Sequence, residues 1–434
     1  MRNQPLRYVS ARLLAYGRAV VTQGTLQRRL GLADAVVVGA GSMIGAGVFA
    51  AWAPAASAAG SGLLIGLVLA GFVAWCNATS SAQLAAIHPE SGGTYVYGRR
   101  QLGPAWGHLA GWGFVVGKTA SCAAMALAVG AYVWPEHERW VAIAAVVAIA
   151  LVNIGGLERT AFVTRILLGV SLAALVVVVI AAWTGDATSV DRITPIDASP
   201  YEVLQSAGLL FFAFAGYARI ATLGEEVRDP EVTIPKAIPR ALLFVLAVYL
   251  VVGVSSVAAV PAEVLGATDA PLRAVVEAAG HSALAPLVRV GAAIAALGVL
   301  LNLVPGVSRT VLAMAREREL PGWFDHVDGR RNLPVRAEMA VVVTVGVLVS
   351  LLGLRSAIAV SGTAVLTYYA ITNAAALTLT PQQRRWPRWI AAAGLVGCIT
   401  LALALPWREL LSGAAVLAIG AFVRMVTAGR ARAT

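Results

Sequence analysis

Glycine interrupts two of the apolar stretches in this chain where a helix would otherwise run on. The first interruption is Gly41-Ser42-Met43-Ile44-Gly45-Ala46-Gly47 and the second is Phe212-Ala213-Phe214-Ala215-Gly216-Tyr217-Ala218-Arg219. A helix that unwinds inside lipid bares N–H and C=O groups that hydrocarbon cannot satisfy. Such a break persists only where it lines a cavity or meets a ligand. N–H groups from Met43 to Gly47, at the start of a half-helix, would form an anion-binding concavity, and glycine lets a ligand come up to the backbone. The Gly41-x-x-x-Gly45 spacing also suits close helix packing, and both readings stand. Around Gly216 the half-helices would offer carbonyls at one end and N–H groups at the other. Phe211, Phe212 and Phe214 would cover a ligand's apolar side or fill the core. Two such breaks half a molecule apart point to a small-solute carrier with its site near the bilayer midplane.

Few other residues could do chemistry. Lys118 and Lys236 are the two lysines of the chain. Lys118 falls midway along an apolar span, too deep to snorkel. It could exchange a proton during transport, or stand as a fixed cation held by carbonyls. Arg219, just past the second break, is either a pathway residue or a structural partner of exposed carbonyls. Glu225 and Glu226 could latch to a basic residue in a gate or simply be solvated. Asp34 reads as interfacial. Cys76, Cys122 and Cys398 all lie within spans, so no disulfide framework follows. The five histidines have no ligand spacing, and no metal site or cofactor is implied.

These residues need a membrane to position them. Of the 434 residues, 59% are hydrophobic and 13% charged, with a mean hydropathy of +0.78. A soluble domain is about a quarter charged. Apolar runs near the roughly 20 residues that cross a bilayer predict twelve helices, over 32–57, 61–87, 104–134, 140–157, 161–184, 201–226, 237–260, 284–314, 338–354, 357–379, 388–405 and 409–427. The net charge of +11 would favour nucleic acid in a soluble chain, but its placement excludes that reading. With residues 1–31 inside, 24 of the 33 basic residues fall at inside segments and 5 at outside loops. Lys118, Arg219, Arg289 and Arg309 lie deeper. This positive-inside bias puts both termini in the cytoplasm. The arginine-rich segment 1–31 lacks the apolar core of a signal peptide and reads as a cytoplasmic tail. Residues 428–434 form a second tail. Pro89–Pro104 reads as a turn-rich connection, with Tyr95 and Tyr97 suited to a headgroup interface.

At this point a resemblance emerges. GSMIGAGVF in the first span, FFAFAGYARIATLGEEVRDPEVTIPKAI (211–238), SRTVLAMARERELPGWF (308–324) and YYAITNAAAL (368–377) resemble motifs of the amino acid–polyamine–organocation transporter superfamily. The resemblance runs in order from about 31 to 379. It implies an all-α membrane protein with a leucine-transporter-like fold, in which inverted repeats at about 32–184 and 201–379 precede two extra helices over 388–427. It implies an amino acid substrate. Its carboxylate would sit near Met43, Ile44, Ala46 and Gly47, with Gly45 at the break. Its ammonium would face carbonyls near Phe212, Ala213 and Ala215, beside Gly216. Phe212 falls where relatives place an aromatic gate, and Lys118 where some relatives turn a polar residue toward substrate. Two departures matter. Relatives that move cationic amino acids often carry an acidic residue where this chain has Ala218. Ser171 stands where some proton-coupled relatives carry lysine, so its hydroxyl would ligate sodium or the place would be idle.

The expected function is secondary active transport of amino acids, neutral ones foremost, across the plasma (inner) membrane by alternating access. Proton or sodium coupling stays open. An amino acid or polyamine exchanger or exporter fits the same residues. A channel would need polar rings within the spans. An enzyme would need a constellation of carboxylate, histidine or cysteine that no span or loop supplies.

Overall fold

The computed structural model describes residues 30–88, 92–154, 161–194, 197–217, 219–220, 227–328 and 333–433. Among these the secondary structure is helical apart from two isolated bridges, Leu30–Val227 and Asp328–Leu333. The first apolar stretch is split into α1 (Leu32–Met43), α2 (Ala46–Ala50) and α3 (Trp52–Ala59). Next come α4 (Leu63–Ile87), α5 (Thr94–Gln101), α6 (Pro104–Val133), α7 (Glu138–Ile154) and α8 (Ala161–Thr184). The second half holds α9 (Pro200–Phe214), α10 (Pro230–Ala259), α11 (Ala262–Ala267), α12 (Pro271–Ala278) and α13 (Ala285–Arg316). The chain closes with α14 (Val335–Leu351), α15 (Leu354–Leu377), α16 (Arg388–Ala404) and α17 (Trp407–Ala433).

Eight helices among the described residues are long and apolar enough to cross a membrane, or nine if α16 and α17, bent by 118° at Leu405–Pro406, make one span. The twelve expected apolar stretches all begin in helix, but, besides the split first one, four yield short helices. The helix α9 stops after 15 residues because the chain unwinds at Phe214, and α7, α14 and α16 have 17 residues each. All four fall below the roughly 20 that a perpendicular crossing uses.

The deeply buried α6 packs against α13 and α15, with α5, α7, α14 and α17 around it. Small residues allow the approach: a Cβ on Gly117 would lie 2.8 Å from Val365 Cγ2 of α15. At its far end Arg289 of α13 donates from Nε to Tyr132 O (2.7 Å) and from Nη2 to Val133 O, satisfying α6's last carbonyls. Arg289 thus serves a helix end rather than the span's middle.

Two connections carry helix of their own. Residues 94–101 form a helix, and Tyr95 and Tyr97 are buried rather than set at an interface. Their side of this amphipathic turn faces protein. Tyr95 covers Gly111 of α6, Thr94 N–H donates to Tyr368 Oη (3.1 Å), and the hydroxyls of Thr94 and Thr372 are 2.6 Å apart. The polar stretch Pro261–His281 folds into α11 and α12, because Leu272, Val275 and Val276 recur at helical spacing and bury one face.

Candidate functional site

Both glycine interruptions break their helices. Ile44 leaves the helical region at φ −76°, ψ 76°, Gly45 is extended at φ −133°, ψ −148°, and a new helix starts at Ala46. The Ile44 N–H still reaches Ala40 O (2.7 Å), whereas the Gly45 N–H turns back onto Met43 O (2.9 Å). The following helix runs almost unbroken through Ala51 to Ala59, and its first N–H groups have no acceptor within it.

The second break is a tightened turn. After Phe214, the N–H groups of Ala215, Tyr217, Arg219 and Ile220 bond three residues back, to Phe212, Phe214, Gly216 and Tyr217, at 3.0–3.4 Å. An α-helix would have used Ala213 O for the Tyr217 N–H and Ala215 O for the Arg219 N–H. The turn frees both carbonyls, and a buried carbonyl needs a donor. Side chains of other helices supply them. The Tyr249 hydroxyl of α10 lies 2.7 Å from Met43 O and 3.1 Å from Ala213 O, so its one proton is shared between the two breaks. Ala215 O accepts from Lys118 Nζ of α6 (2.9 Å) and from Tyr369 Oη of α15 (3.1 Å).

The two breaks also touch directly. A Cβ on Gly216 would overlap Ser42 O and come within 2.7 Å of Met43 N, and one on Gly47 would come within 2.7 Å of Ala213 Cα. Each break therefore uses a glycine to admit the other's backbone. Aromatic rings wall the junction. Phe214 lies 5.1 Å from Tyr249, Phe211 packs edge-on to Tyr369 at 5.7 Å, and Tyr217 stacks on Tyr369 at 5.0 Å. Phe212 is buried with them.

The structure thus brings together Met43, Ile44, Gly45, Gly47, Lys118, Phe212, Ala213, Ala215 and Gly216. Ala46 opens α2 in the same segment. Ser171 lies apart on α8, where its hydroxyl donates to Leu167 O of its own helix (2.8 Å). Arg219 is half-buried one turn beyond Ala215. Ala218, Glu225 and Glu226 lie outside the described residues. Asp34 accepts from Gly31 N (3.2 Å) and pairs with Arg165 of α8.

Tyr249 carries no role in the sequence reading and Tyr369 enters it only within YYAITNAAAL, although tyrosine within an aliphatic run is a signal, since a buried hydroxyl needs a partner. A second buried polar group adjoins them. Beside Tyr369, Asn373 donates to Asn77 Oδ1 (2.5 Å) and Tyr369 O (3.0 Å), and its Oδ1 accepts from Ser80 (2.7 Å).

Long apolar helices packed around two broken ones, with backbone polar groups gathered where the breaks meet, define a membrane-embedded carrier. The chain belongs to the amino acid permease family, whose model matches residues 34–433. It is a multi-pass membrane protein of a transporter family. It is 56% identical, over 94% of both chains, to an uncharacterized transporter of Mycobacterium tuberculosis. It is 25% identical to a branched-chain amino acid permease of Bacillus subtilis over 88% of this chain and 89% of that one. A methylthioribose transporter of the same organism is 27% identical over 72% of each.

Proposed function

We propose that this permease moves neutral amino acids across the plasma membrane by coupled alternating access, with the two broken helices clamping the substrate's ammonium and carboxylate. The observation that carries the reading is the junction of the breaks. Two interrupted helices from opposite halves of the chain meet glycine to backbone, and each bares main-chain groups that other helices must satisfy. Carbonyls of the second break suit an ammonium, and the N–H groups that open the half-helix after Gly45 suit a carboxylate. Such a clamp recognises what all amino acids share, so side-chain choice falls to the wall. The reciprocal contact also supports inverted repeats of five spans with α16 and α17 appended, twelve crossings in all, and the bias of basic residues supports both termini in the cytoplasm.

The relatives' names cover branched-chain amino acids, cationic amino acids and methylthioribose, so a name alone does not select the substrate. Ala218 in place of an acidic residue leads away from cationic amino acids. The test is counterflow of a panel of labelled amino acids, with methylthioribose included, into proteoliposomes under imposed proton or sodium gradients. Saturable counterflow of a neutral amino acid, accelerated by one gradient, is expected. Gly45→Leu should abolish it in protein that remains monodisperse, since Val299 Cγ2 and Ala295 O of α13 occupy the space its side chain would need. Normal uptake by that variant removes the clamp. Uptake proportional to concentration without saturation makes the protein a channel.

A further inference from the structure

The turn between α15 and α16 carries concentrated charge that substrate binding does not use. Residues 384–389 are Arg-Arg-Trp-Pro-Arg-Trp, and no acidic residue occurs in the chain between Glu338 and Glu409. The turn is folded onto the helices around it. The N–H groups of Gln383 and Arg384 both donate to Thr380 O at 3.1 Å. Arg384 Nε donates to Leu379 O, just past the end of α15 (2.9 Å), and the Arg385 N–H donates to Gln83 Oε1 of α4 (3.2 Å). Arg388 opens α16. Three arginines within five residues are thus anchored beside three different helices. Arg385 and Arg388 are exposed, and among the described residues no carboxylate forms an ion pair with any of the three. Like charges held this close repel one another, and an anion among them relieves the repulsion. A phosphate suits best, since guanidinium matches its oxygens in bidentate fashion.

The surroundings say what carries the phosphate. Trp386 packs partly buried against the core, whereas Trp389 is exposed. An indole with its apolar body outward suits the headgroup level of a bilayer. From Trp389 the exposed face of α16 runs on through Val396, Ile399 and Leu403, at spacings that keep them on one side of the helix. A basic cluster that continues directly into an apolar stripe matches an amphiphile. A free phosphate would leave the stripe unused.

We propose that this turn is a binding site for an anionic phospholipid, its phosphate held by Arg384, Arg385 and Arg388 and an acyl chain lying along the exposed face of α16. One headgroup then ties the ends of α15, α4 and α16 together.

The test titrates the full chain in neutral detergent with dioleoylphosphatidylglycerol or dioleoylphosphatidylcholine and counts bound lipid by native mass spectrometry, with thermal unfolding read alongside. Phosphatidylglycerol should bind about twentyfold more tightly than phosphatidylcholine, roughly fivefold for each exposed arginine, and should raise the unfolding temperature more. Arg385→Gln with Arg388→Gln should reduce that preference to a few-fold, while lysine at both positions keeps most of it. Lys236→Gln with Arg336→Gln, which removes two exposed basic residues of α10 and α14, should leave it unchanged. Equal binding of the two lipids by the natural protein overturns the proposal without any variant. So does an equal loss in both glutamine pairs, which would make the attraction diffuse. Glycerol 3-phosphate that displaces phosphatidylglycerol at matched concentration would show a free-phosphate site and overturn the lipid assignment.

Discussion

A single hydroxyl, that of Tyr249, spans both broken helices. It has one proton for Met43 O and Ala213 O, and Met43 O also receives the Gly45 N–H. Phenylalanine at this position would leave Ala213 O buried with its donor gone, which costs roughly 1–3 kcal/mol. Tyr249→Phe should therefore lower the unfolding free energy by about that amount. A bound substrate that brings an ammonium to these carbonyls should restore part of it, so ligand-induced stabilisation should be larger in the variant than in the natural protein. Thermal unfolding in detergent, with and without substrate, reads both. A variant as stable as the natural protein would show that the hydroxyl does not hold the carbonyls. How much of the site was legible follows from the same residues. Glycine within an apolar run is a local signal, so Gly45 and Gly216 marked where each helix ends. The donors that satisfy the freed carbonyls come from α6, α10 and α15, far away in sequence, and no spacing encodes such a meeting. Lys118 was legible as a charge out of place that carbonyls could hold, but only the fold shows that Ala215 O is the oxygen it reaches.

Elements are tied together at their ends by charges of very unequal weight. Glu319, just after α13, is 6% exposed at its side chain and accepts from Arg99 of α5 (2.6 Å) and Arg424 of α17 (3.4 Å), with His108 of α6 at 3.4 Å. Four helices thus share one buried carboxylate. Asp34 of α1 pairs with an Arg165 that is 53% exposed. An exposed pair is worth about 0–1 kcal/mol, but removing one partner of a buried network costs about 3–5 kcal/mol. Glu319→Ala should accordingly cost several times what Asp34→Ala costs in denaturant unfolding from mixed micelles, and equal losses would place Glu319's charge in solvent. The weak Asp34 tie suits an element that moves, and the strong Glu319 tie suits one that stays. The eight or nine long apolar helices were readable from apolar length. The α5 helix was not, because its tyrosines resemble interface anchors until α6 and α15 are seen to cover them.

For the whole molecule, the question is which end faces which compartment. The basic residues argue that the connection between α15 and α16, with Arg384, Arg385 and Arg388, is cytoplasmic, and that the α11–α12 hairpin after α10 is outside. The chain offers a clean test, since its three cysteines, Cys76, Cys122 and Cys398, are all buried and free. A cysteine placed at exposed Gln382 or exposed Glu263 would then report alone. In intact cells a membrane-impermeant maleimide should label Glu263→Cys and spare Gln382→Cys, and opening the cells should add the second. The reverse pattern would invert the protein in the membrane. Labelling of both from outside would mean an odd number of crossings between residues 263 and 382 is wrong, and with it the twelve-span count. The hairpin is also where outward closure should be felt. Ser57 of α3 donates to Gly266 O (2.9 Å), and Arg355 of α15 reaches Ser57 Oγ (2.8 Å) and Asp269 (3.4 Å). Because those bonds join the half-helix after the first break to the hairpin, substrate that seats the half-helix should slow labelling at Glu263→Cys, whereas a rigid pore would leave the rate unchanged.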